Sequence, residues 1–313
     1  MLGKPQSMKM IGEHRVDHLI AGARPYYADP ALAEFGGRYF LYPTTDGQED
    51  WSSDSFRVLV SDDLESWTDH GEILTLGRDV LWASGHAWAP AATEKNGLYY
   101  FYFTADDNIG VAVGASPEGP FLDSGRPLIA RGSYSGRAID PAVFTDEDGT
   151  SYLIWGNSVA HFAKLNSDMV SIDTQSVVAW EHPTFREAAH IHRNLDRYYL
   201  TWSENDTRDP DYRVRWAIGS SPVGPWEEKG ILLEQSPQDG IQATGHHSIL
   251  RLPGTEDWVI AYHRFAIPDG DGFHREIVID PLVHLPSGDL RQVVPTLAPI
   301  QITKTALPET LQT

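Results

Sequence analysis

The chain of 313 residues contains no cysteine, which excludes disulfide bonds and cysteine-ligated metal or haem sites. It also has no run of 18 or more apolar residues, which excludes a conventional membrane-spanning helix. The first residues carry basic side chains but no apolar segment of the kind found in secretory leaders. The sequence as it stands predicts a cytoplasmic protein; a secreted one is the alternative if a leader has been removed.

Basic residues are scarce: 24 Lys and Arg face 44 Asp and Glu, for a net charge of −20. Such a surface repels phosphate backbones and anionic lipid, so neither nucleic acid nor membrane is an expected partner. Neutral ligands are unaffected, and simple solubility also accounts for the charge. Fingerprints for a zinc protease, a nucleophile elbow, a P-loop and a dinucleotide-binding turn are all absent.

What the sequence does have is aromatic residues, 11% of the total, arranged in five similar units. Each unit is an apolar run, a Gly- or Asp-containing turn and an aromatic strand, which is typical of a β-hairpin. The units cover residues 28–46, 88–106, 139–157, 186–206 and 245–265. Further hairpin-like stretches follow three of them, at 58–74, 111–129 and 214–233.

The repeat predicts an all-β, five-bladed β-propeller with about four antiparallel strands per blade. A β-sandwich is the competing architecture, but it does not explain five recurrences of one hairpin. We expect an N-terminal extension over residues 1–20, a propeller over 21–300 and a C-terminal tail over 301–313.

The start of each unit should lie at the propeller axis, and polar residues collect there. The five starts contribute Asp29, Trp88, Asp140, Glu187 and His246. Hydrolysis of a glycosidic bond needs a proton-donating carboxylic acid and a carboxylate that activates water or attacks the sugar. A third carboxylate nearby raises the pKa of the acid. Proline after Asp29 and after Asp140 predicts an extended backbone at both aspartates, and Glu181 competes with Glu187 for the role of acid.

Six segments together resemble family 43 of the glycoside hydrolases. They are ADP (28–30), WAP (88–90), IDPAVFTDEDGTSYLIWGN (139–157), GHHS (245–248), YHRF (262–265) and DGFHREIVIDPL (271–282). The resemblance implies a five-bladed propeller and an inverting mechanism. It further implies Asp29 as general base, Asp140 as the acid that tunes the pKa and orients the general acid, and Glu187 as the general acid. The family often has Glu-Gly-Pro where this chain has Glu187-Ala188-Ala189, so the local backbone is expected to differ.

Four further residues are candidates for the site. Trp88 is a stacking wall for a sugar ring or a core residue, and Asn157, which ends the WGN segment of the third unit, is a substrate-binding candidate. By resemblance Arg275 binds substrate, although a salt bridge with Glu276 is the alternative. His246 occupies the channel centre, where the family implies a calcium ion or a water cluster. His190 and His192 share a strand face and are a weaker zinc pair.

The resemblance implies an α-L-arabinofuranosidase acting from the chain end of plant cell-wall oligosaccharides or polysaccharides derived from arabinan or arabinoxylan. No cofactor is required, beyond a candidate structural calcium at the propeller centre. The alternatives are a β-xylosidase or endo-arabinanase of the same family, and a non-catalytic carbohydrate-binding propeller.

Overall fold

A computed structural model describes residues 26–297 and residue 300. The expected N-terminal extension and C-terminal tail lie outside the described residues. Among the described residues, no helix is long and apolar enough to cross a membrane.

Nineteen strands form five antiparallel sheets, and each sheet uses strands that are consecutive along the chain. Blade 1 contains β1 (Tyr26–Phe35), β2 (Arg38–Asp46), β3 (Ser55–Ser61) and β4 (Thr68–Thr75). Blade 2 contains β5 (Trp88–Lys95), β6 (Leu98–Ala105), β7 (Asn108–Gly114) and β8 (Leu122–Asp123). Blade 3 contains β9 (Ala142–Thr145), β10 (Ser151–Trp155), β11 (Ala160–Lys164) and β12 (Val178–Trp180).

Blade 4 contains β13 (Glu187–Asn194), β14 (Arg197–Glu204), β15 (Arg213–Gly219) and β16 (Trp226–Leu233). Blade 5 contains β17 (Gly245–Arg251), β18 (Trp258–Phe265) and β19 (Arg275–Leu282). The predicted five-bladed propeller is confirmed, with three strands rather than four in the described part of blade 5. Short 3-10 turns occur at Glu49–Trp51, Thr174–Ser176 and Pro237–Asp239.

The apolar core is divided into layers that lie between adjacent blades. One layer joins Phe56 of blade 1 to Phe103 of blade 2, and another joins Leu41 of blade 1 to Ile277 of blade 5. Trp155 and Trp202, predicted to be core residues, are buried in two further layers. Burying one such side chain stabilises the fold by roughly 1.5–3 kcal/mol, so the blades are held together mainly by these layers.

Each blade begins at the axis with one residue in the left-handed backbone region. These residues are Asp29 (φ 49°), Ala89 (φ 42°), Asp140 (φ 58°), Ala188 (φ 57°) and His246 (φ 43°). In blades 1, 2, 4 and 5 the pairing of the first two strands shifts register at this point, as at a β-bulge. The predicted extended backbone at the two aspartates is therefore wrong. The left-handed conformation is set by tertiary structure, which overrides the local effect of the following proline.

A side chain of the preceding blade binds the amide of each of these residues. The pairs are Ala89 N with Thr44 Oγ1 (2.7 Å), Asp140 N with Thr104 Oγ1 (3.0 Å), Ala188 N with Asp140 Oδ2 (3.2 Å), His246 N with Ser203 Oγ (2.9 Å) and Asp29 N with His263 Nδ1 (3.3 Å). Blade 3 has Gly156 where its neighbours have a hydroxyl residue, and a Cβ there would collide with the carbonyl of Val159. The carboxylate of Asp140 supplies the missing acceptor. Ala188 stands where the family often has glycine, yet it adopts the left-handed conformation. The expected difference in the local backbone is therefore absent, and blade 4 matches the other blades at this position.

Candidate active site

The five blade starts converge on a cavity of about 270 Å³ at one end of the central channel. The cavity is lined by Asp29, Trp51, Trp88, Arg137, Ile139, Asp140, Arg186, Glu187, Asp206, Thr207, Arg208, His246 and Arg275. All three predicted acids therefore share one pocket. Asp140 and His246 also line a second cavity of about 440 Å³, which extends along the first strands of the blades. These two residues separate the cavities.

Asp29 is a buried carboxylate surrounded by cationic and imidazole groups. Its Oδ1 lies 3.0 Å from His263 Nδ1, 3.4 Å from His246 Nδ1 and 3.3 Å from Arg275 Nη1. Burial alone would raise the pKa of Asp29, but its interactions with His246, Arg275 and His263 hold it well below its ordinary value. Asp29 is thus ionised at neutral pH.

Arg275 is 3% exposed and directs its guanidinium at two carboxylates. Nε and Nη2 donate to Asp46 at 2.8 and 3.1 Å, and Nη1 donates to Asp29 at 3.3 Å. Its salt-bridge partners are therefore Asp46 and Asp29, not Glu276, which binds Arg264. The analysis of the sequence missed Asp46. Its only signal was its position at the end of the first repeat unit, beside the axis.

Replacing Arg275 by Met should destabilise the fold by about 3–5 kcal/mol, because it leaves two buried carboxylates without their cation. It should also raise the pKa of Asp29, so that the acid limb of the pH profile of kcat/KM moves to higher pH. Urea unfolding and the pH profile measure the two effects.

Arg264→Met is the matched control, because Arg264 lies on the adjacent strand, is 5% exposed and pairs with one carboxylate, that of Glu276. We expect it to lower stability and leave the acid limb in place. An unshifted acid limb in Arg275→Met would contradict the electrostatic role assigned to Arg275.

Asp140 and Glu187 form the second electrostatic unit of the cavity. Burial raises the pKa of Asp140 well above its ordinary value, and the charges of Glu187 and Asp29 add to the effect. Asp140 Oδ2 accepts from the amide of Ala188, the residue after Glu187. The raised pKa favours the protonated form of Asp140, whose carboxyl group lies against the backbone beside Glu187.

Both oxygens of Glu187 are bound by neutral donors. Asn157 Nδ2 donates to Oε2 at 2.7 Å, and the Tyr212 hydroxyl donates to Oε1 at 3.0 Å. Asn157 is buried and does not itself line the cavity, so the structure places it behind Glu187. Tyr212, which stacks on His263, was missed because nothing in its local sequence marks it as facing the axis. These contacts fix the orientation of the Glu187 carboxyl group.

Aromatic rings form one wall of the pocket. Trp88 is half-buried, and its indole Nε1 donates to the carbonyl oxygen of Trp51 at 2.7 Å. Trp51 donates in turn to the carbonyl oxygen of Gly272 at 2.8 Å. Trp88 therefore lines the cavity as predicted, joined by a second tryptophan that the sequence did not single out. Such flat apolar surfaces suit the faces of sugar rings.

His246 lies at the bottom of the cavity, with Nδ1 3.4 Å from Asp29 and 4.0 Å from Asp140. Calcium takes six to eight oxygen ligands. Within the part of the chain that the structure describes, no three His, Asp or Glu side chains are arranged to hold a metal ion. The protein side chains alone do not form a calcium site here, and the assignment of His246 to a calcium ion or water cluster stays a prediction.

His190 and His192 belong to a separate histidine group along the second cavity. His192 Nε2 lies 3.0 Å from His284 Nε2, and the ring of His190 lies 6.0 Å from that of His247. Nδ1 of all four is buried without a hydrogen-bond partner among the described residues. Burial lowers the pKa of His190 and of His284 to about 4. The group is a buried neutral cluster, which we call the histidine cluster.

A propeller whose axis brings an ionised aspartate, a second aspartate of raised pKa and a glutamate into one pocket has the carboxyl groups of a glycoside hydrolase. Comparison with known proteins gives the family. The sequence profile of Glycosyl hydrolases family 43 matches residues 23–288. The chain therefore belongs to glycoside hydrolase family 43, as the motifs indicated.

Relatives within the family carry several activities. The chain is 31% identical over 293 residues to a β-D-galactofuranosidase of Aspergillus niger, covering 88% of this chain and 85% of the relative. It is 30% identical to a xylosidase/arabinosidase of Humicola insolens, covering 81% and 92% of the two chains. An α-L-arabinofuranosidase structure from Clostridium thermocellum superposes with a TM-score of 0.71 at 30% identity, covering 86% of this chain and 94% of that one.

A β-xylosidase/α-arabinofuranosidase from a compost metagenome, solved with xylotriose in a calcium-free form, superposes with a TM-score of 0.76 at 28% identity. The match covers 90% of this chain and 98% of that one. The fold and the class of reaction are thus shared, while the sugar differs among relatives.

Proposed function

We propose that the protein is an inverting glycosidase that removes a terminal α-L-arabinofuranosyl residue from arabinan- or arabinoxylan-derived chains. The observation that carries this proposal is the convergence of Asp29, Asp140 and Glu187, from three blades, on one small cavity. Ligand pockets commonly measure roughly 300–1,000 Å³, so a cavity of about 270 Å³ suits the end of a sugar chain better than its middle.

In this proposal Asp29 is the general base. Its lowered pKa keeps it ionised, so it can accept a proton from the water that attacks the anomeric carbon. Inversion needs room for that water, with the base and acid carboxyl groups separated by about 6.5–9.5 Å. Arg275 and His263 contact Oδ1 of Asp29 and hold the carboxylate in one orientation. The other carboxylate oxygen is the one proposed to accept the proton from water.

Glu187 is the general acid in the same proposal. Glu187 gives its proton to the glycosidic oxygen as the bond between that oxygen and the anomeric carbon breaks. Asp140 is the positioning acid, since its Oδ2 accepts from the amide next to Glu187, and by the family resemblance it is also the acid that tunes the pKa. Asn157 and Tyr212 keep the Glu187 carboxyl group aimed at the leaving oxygen.

A β-xylosidase is the second candidate. It is favoured by the Humicola insolens relative described as a xylosidase/arabinosidase and by the structural relative solved with xylotriose. Both sugars are pentoses of plant cell walls, and both offer an apolar ring face to the aromatic wall formed by Trp88 and Trp51.

The test is a panel of 4-nitrophenyl glycosides, with the released sugar followed by proton NMR. We expect the α-L-arabinofuranoside to be the best substrate and the first sugar detected to have the inverted anomeric configuration. Higher kcat/KM on the β-D-xyloside would make the second candidate the function. No turnover of any glycoside in the panel would contradict the proposal, and a retained configuration would refute inversion.

A further inference from the structure

Three arginines line the mouth of the active-site cavity. Arg137 precedes β9, Arg186 immediately precedes β13, and Arg208 lies between β14 and β15. Their side chains are 45%, 40% and 56% exposed, whereas the side chains of the three acids are 7–12% exposed. Negative charge therefore lies at the floor and positive charge at the rim, in a chain whose net charge is −20. We call these three residues the arginine rim.

The carboxylate partners of the rim lie behind it. Arg208 donates Nε and Nη2 to Asp206 at 2.7 and 2.8 Å, and Arg186 donates Nη2 to the same Asp206 at 3.0 Å. Arg137 donates Nη2 to Asp107 at 2.6 Å. Asp206 and Asp107 are only 22% and 20% exposed. Three guanidinium groups thus share two carboxylates and present their outer edges to the cavity and the solvent.

The rim keeps unused hydrogen-bond donors. A guanidinium has five N–H groups in a planar fork, and the carboxylates behind the rim engage one or two of them on each arginine. Nε of Arg186 is buried without a hydrogen-bond partner among the described residues and lies 3.9 Å from Glu187 Oε2. A planar, bidentate acceptor is the group that such forks bind best.

Aromatic rings hold two of the guanidinium groups in place. Arg137 lies 5.7 Å above the ring of Trp88, and Arg208 lies 5.7 Å above the ring of Trp51. Stacking of this kind orders a guanidinium before a ligand arrives, which reduces the entropy lost on binding. The rim is therefore a built surface rather than three mobile side chains.

The rim lies on the Glu187 side of the pocket. Arg186 Nε is 3.9 Å from Glu187 Oε2. The pKa of Arg208 is raised mainly by its hydrogen bonds with Asp206, and the charge of Glu187 contributes as well. Asp29 lies beside a different cation, Arg275, and beside the imidazoles of His246 and His263. Because the general acid faces the departing oxygen, the rim faces the sugar that leaves.

We propose that the arginine rim binds a carboxylate on the leaving-group sugar, so that preferred substrates carry a uronic acid next to the bond that is cut. The inference rests on the proposed function, in which Glu187 protonates the leaving oxygen. Neutral hydroxyl groups would use single donors only, whereas a carboxylate matches the fork of a guanidinium and its charge.

The test compares two disaccharides that differ only in charge: a pentosyl-glucuronic acid and its methyl ester, each prepared with the arabinofuranosyl and the xylosyl sugar. Binding to Asp29→Asn is measured by calorimetry, so the readout does not depend on turnover. We expect the free acid to bind about ten- to a hundredfold more tightly than the ester at low salt. The preference should shrink as salt is added, since the rim is partly exposed.

Arg186→Gln and Arg208→Gln, each in the Asp29→Asn background, should reduce the ratio of acid to ester affinity. Arg251→Gln is the matched control, because Arg251 is 45% exposed, pairs with Glu256 and ends the strand whose other end lies at the axis. It should leave the ratio unchanged. Equal affinity for acid and ester, or a preference that survives both rim variants, would overturn the inference.

These outcomes separate the two proposals. Turnover of the glycoside panel with equal affinity for acid and ester would preserve the proposed function and remove the uronate preference. Preference for the acid without turnover of any glycoside would keep the rim as an anion-binding surface and remove the hydrolytic function.

Discussion

Replacing Asp29 by Asn is expected to lower kcat on every glycoside that the protein hydrolyses, by about 10²–10⁴-fold. The substitution keeps the shape of the side chain and its contacts with Arg275 and His263. It removes the group that accepts a proton from water. The loss should therefore be similar for good and poor leaving groups. Steady-state kinetics on nitrophenyl glycosides and on oligosaccharides measure it, with circular dichroism to confirm folding.

Glu187→Gln should separate the two kinds of substrate. The leaving group of an oligosaccharide is a sugar alkoxide, which is a poor leaving group and needs the proton from Glu187. The kcat on oligosaccharides should therefore fall by about 10²–10⁴-fold. A nitrophenolate leaves readily and should be affected much less. Asn157 Nδ2 can still donate to the amide oxygen, and the amide nitrogen can donate to the Tyr212 hydroxyl oxygen, so the local structure is preserved.

Glu181→Gln is the control for both variants. Glu181 competed with Glu187 on sequence grounds, but it is exposed and does not line the cavity. We expect unchanged kinetics. Full activity in Asp29→Asn, or a loss in Glu181→Gln equal to that in Glu187→Gln, would contradict the assignment of the acids.

Acidification should destabilise the fold through the histidine cluster. Burial lowers the pKa of His190 and of His284 to about 4, and it lowers the pKa of His192 and of His247 well below the ordinary value of 6.5. The unfolded chain binds protons at these positions below about pH 6.5, and the folded chain does not. The stability they contribute is complete above pH 6.5 and is lost as the pH falls towards 4.

Within that window each histidine should cost about 1.4 kcal/mol of unfolding free energy for every unit of pH. Urea unfolding at pH 7.5 and pH 5.0 measures the combined loss. His192→Phe should reduce it, because the phenyl ring can keep the stack on Tyr199, 4.8 Å away, without titrating.

His70→Gln is the control, since the side chain of His70 is 31% exposed and lies outside the cluster. It should leave the pH dependence of stability unchanged. The same dependence in His192→Phe as in the unmodified protein would show that acid lability arises elsewhere.

Sequence periodicity predicted the fold because each hairpin is encoded by local sequence, through alternating apolar residues and turn signals such as those of 139–157. The three acids could also be predicted, since they recur at one phase of the repeat and that phase points to the axis. The structure places Asp29, Asp140 and Glu187 in one pocket for this reason.

The partners of the acids could not be predicted in the same way. Asp46 and Arg275 are 229 residues apart, and their pairing depends on how blade 5 meets blade 1. Tyr212 reaches Glu187 from a loop with no repeat signature. The extended backbone predicted for Asp29 and Asp140 was wrong because the effect of a following proline is local and takes no account of the neighbouring blade. The left-handed conformation goes with an acceptor for the amide that the neighbouring blade supplies.

The pairing of consecutive strands within every sheet has a consequence for how the circle is fastened. Among the described residues, no strand is shared between blades 5 and 1. This junction is therefore closed by side-chain and loop contacts alone. It is secured by Arg275 with Asp46, by His263 with Asp29, by a hydrogen bond of 2.7 Å from Gly47 N to Phe273 O and by an apolar layer. The proposed base, Asp29, is thus one of the residues that join blade 5 to blade 1. Substitutions that stabilise the junction of blades 5 and 1 would therefore protect activity directly. Local opening of this junction would remove activity even if the other four junctions stayed intact.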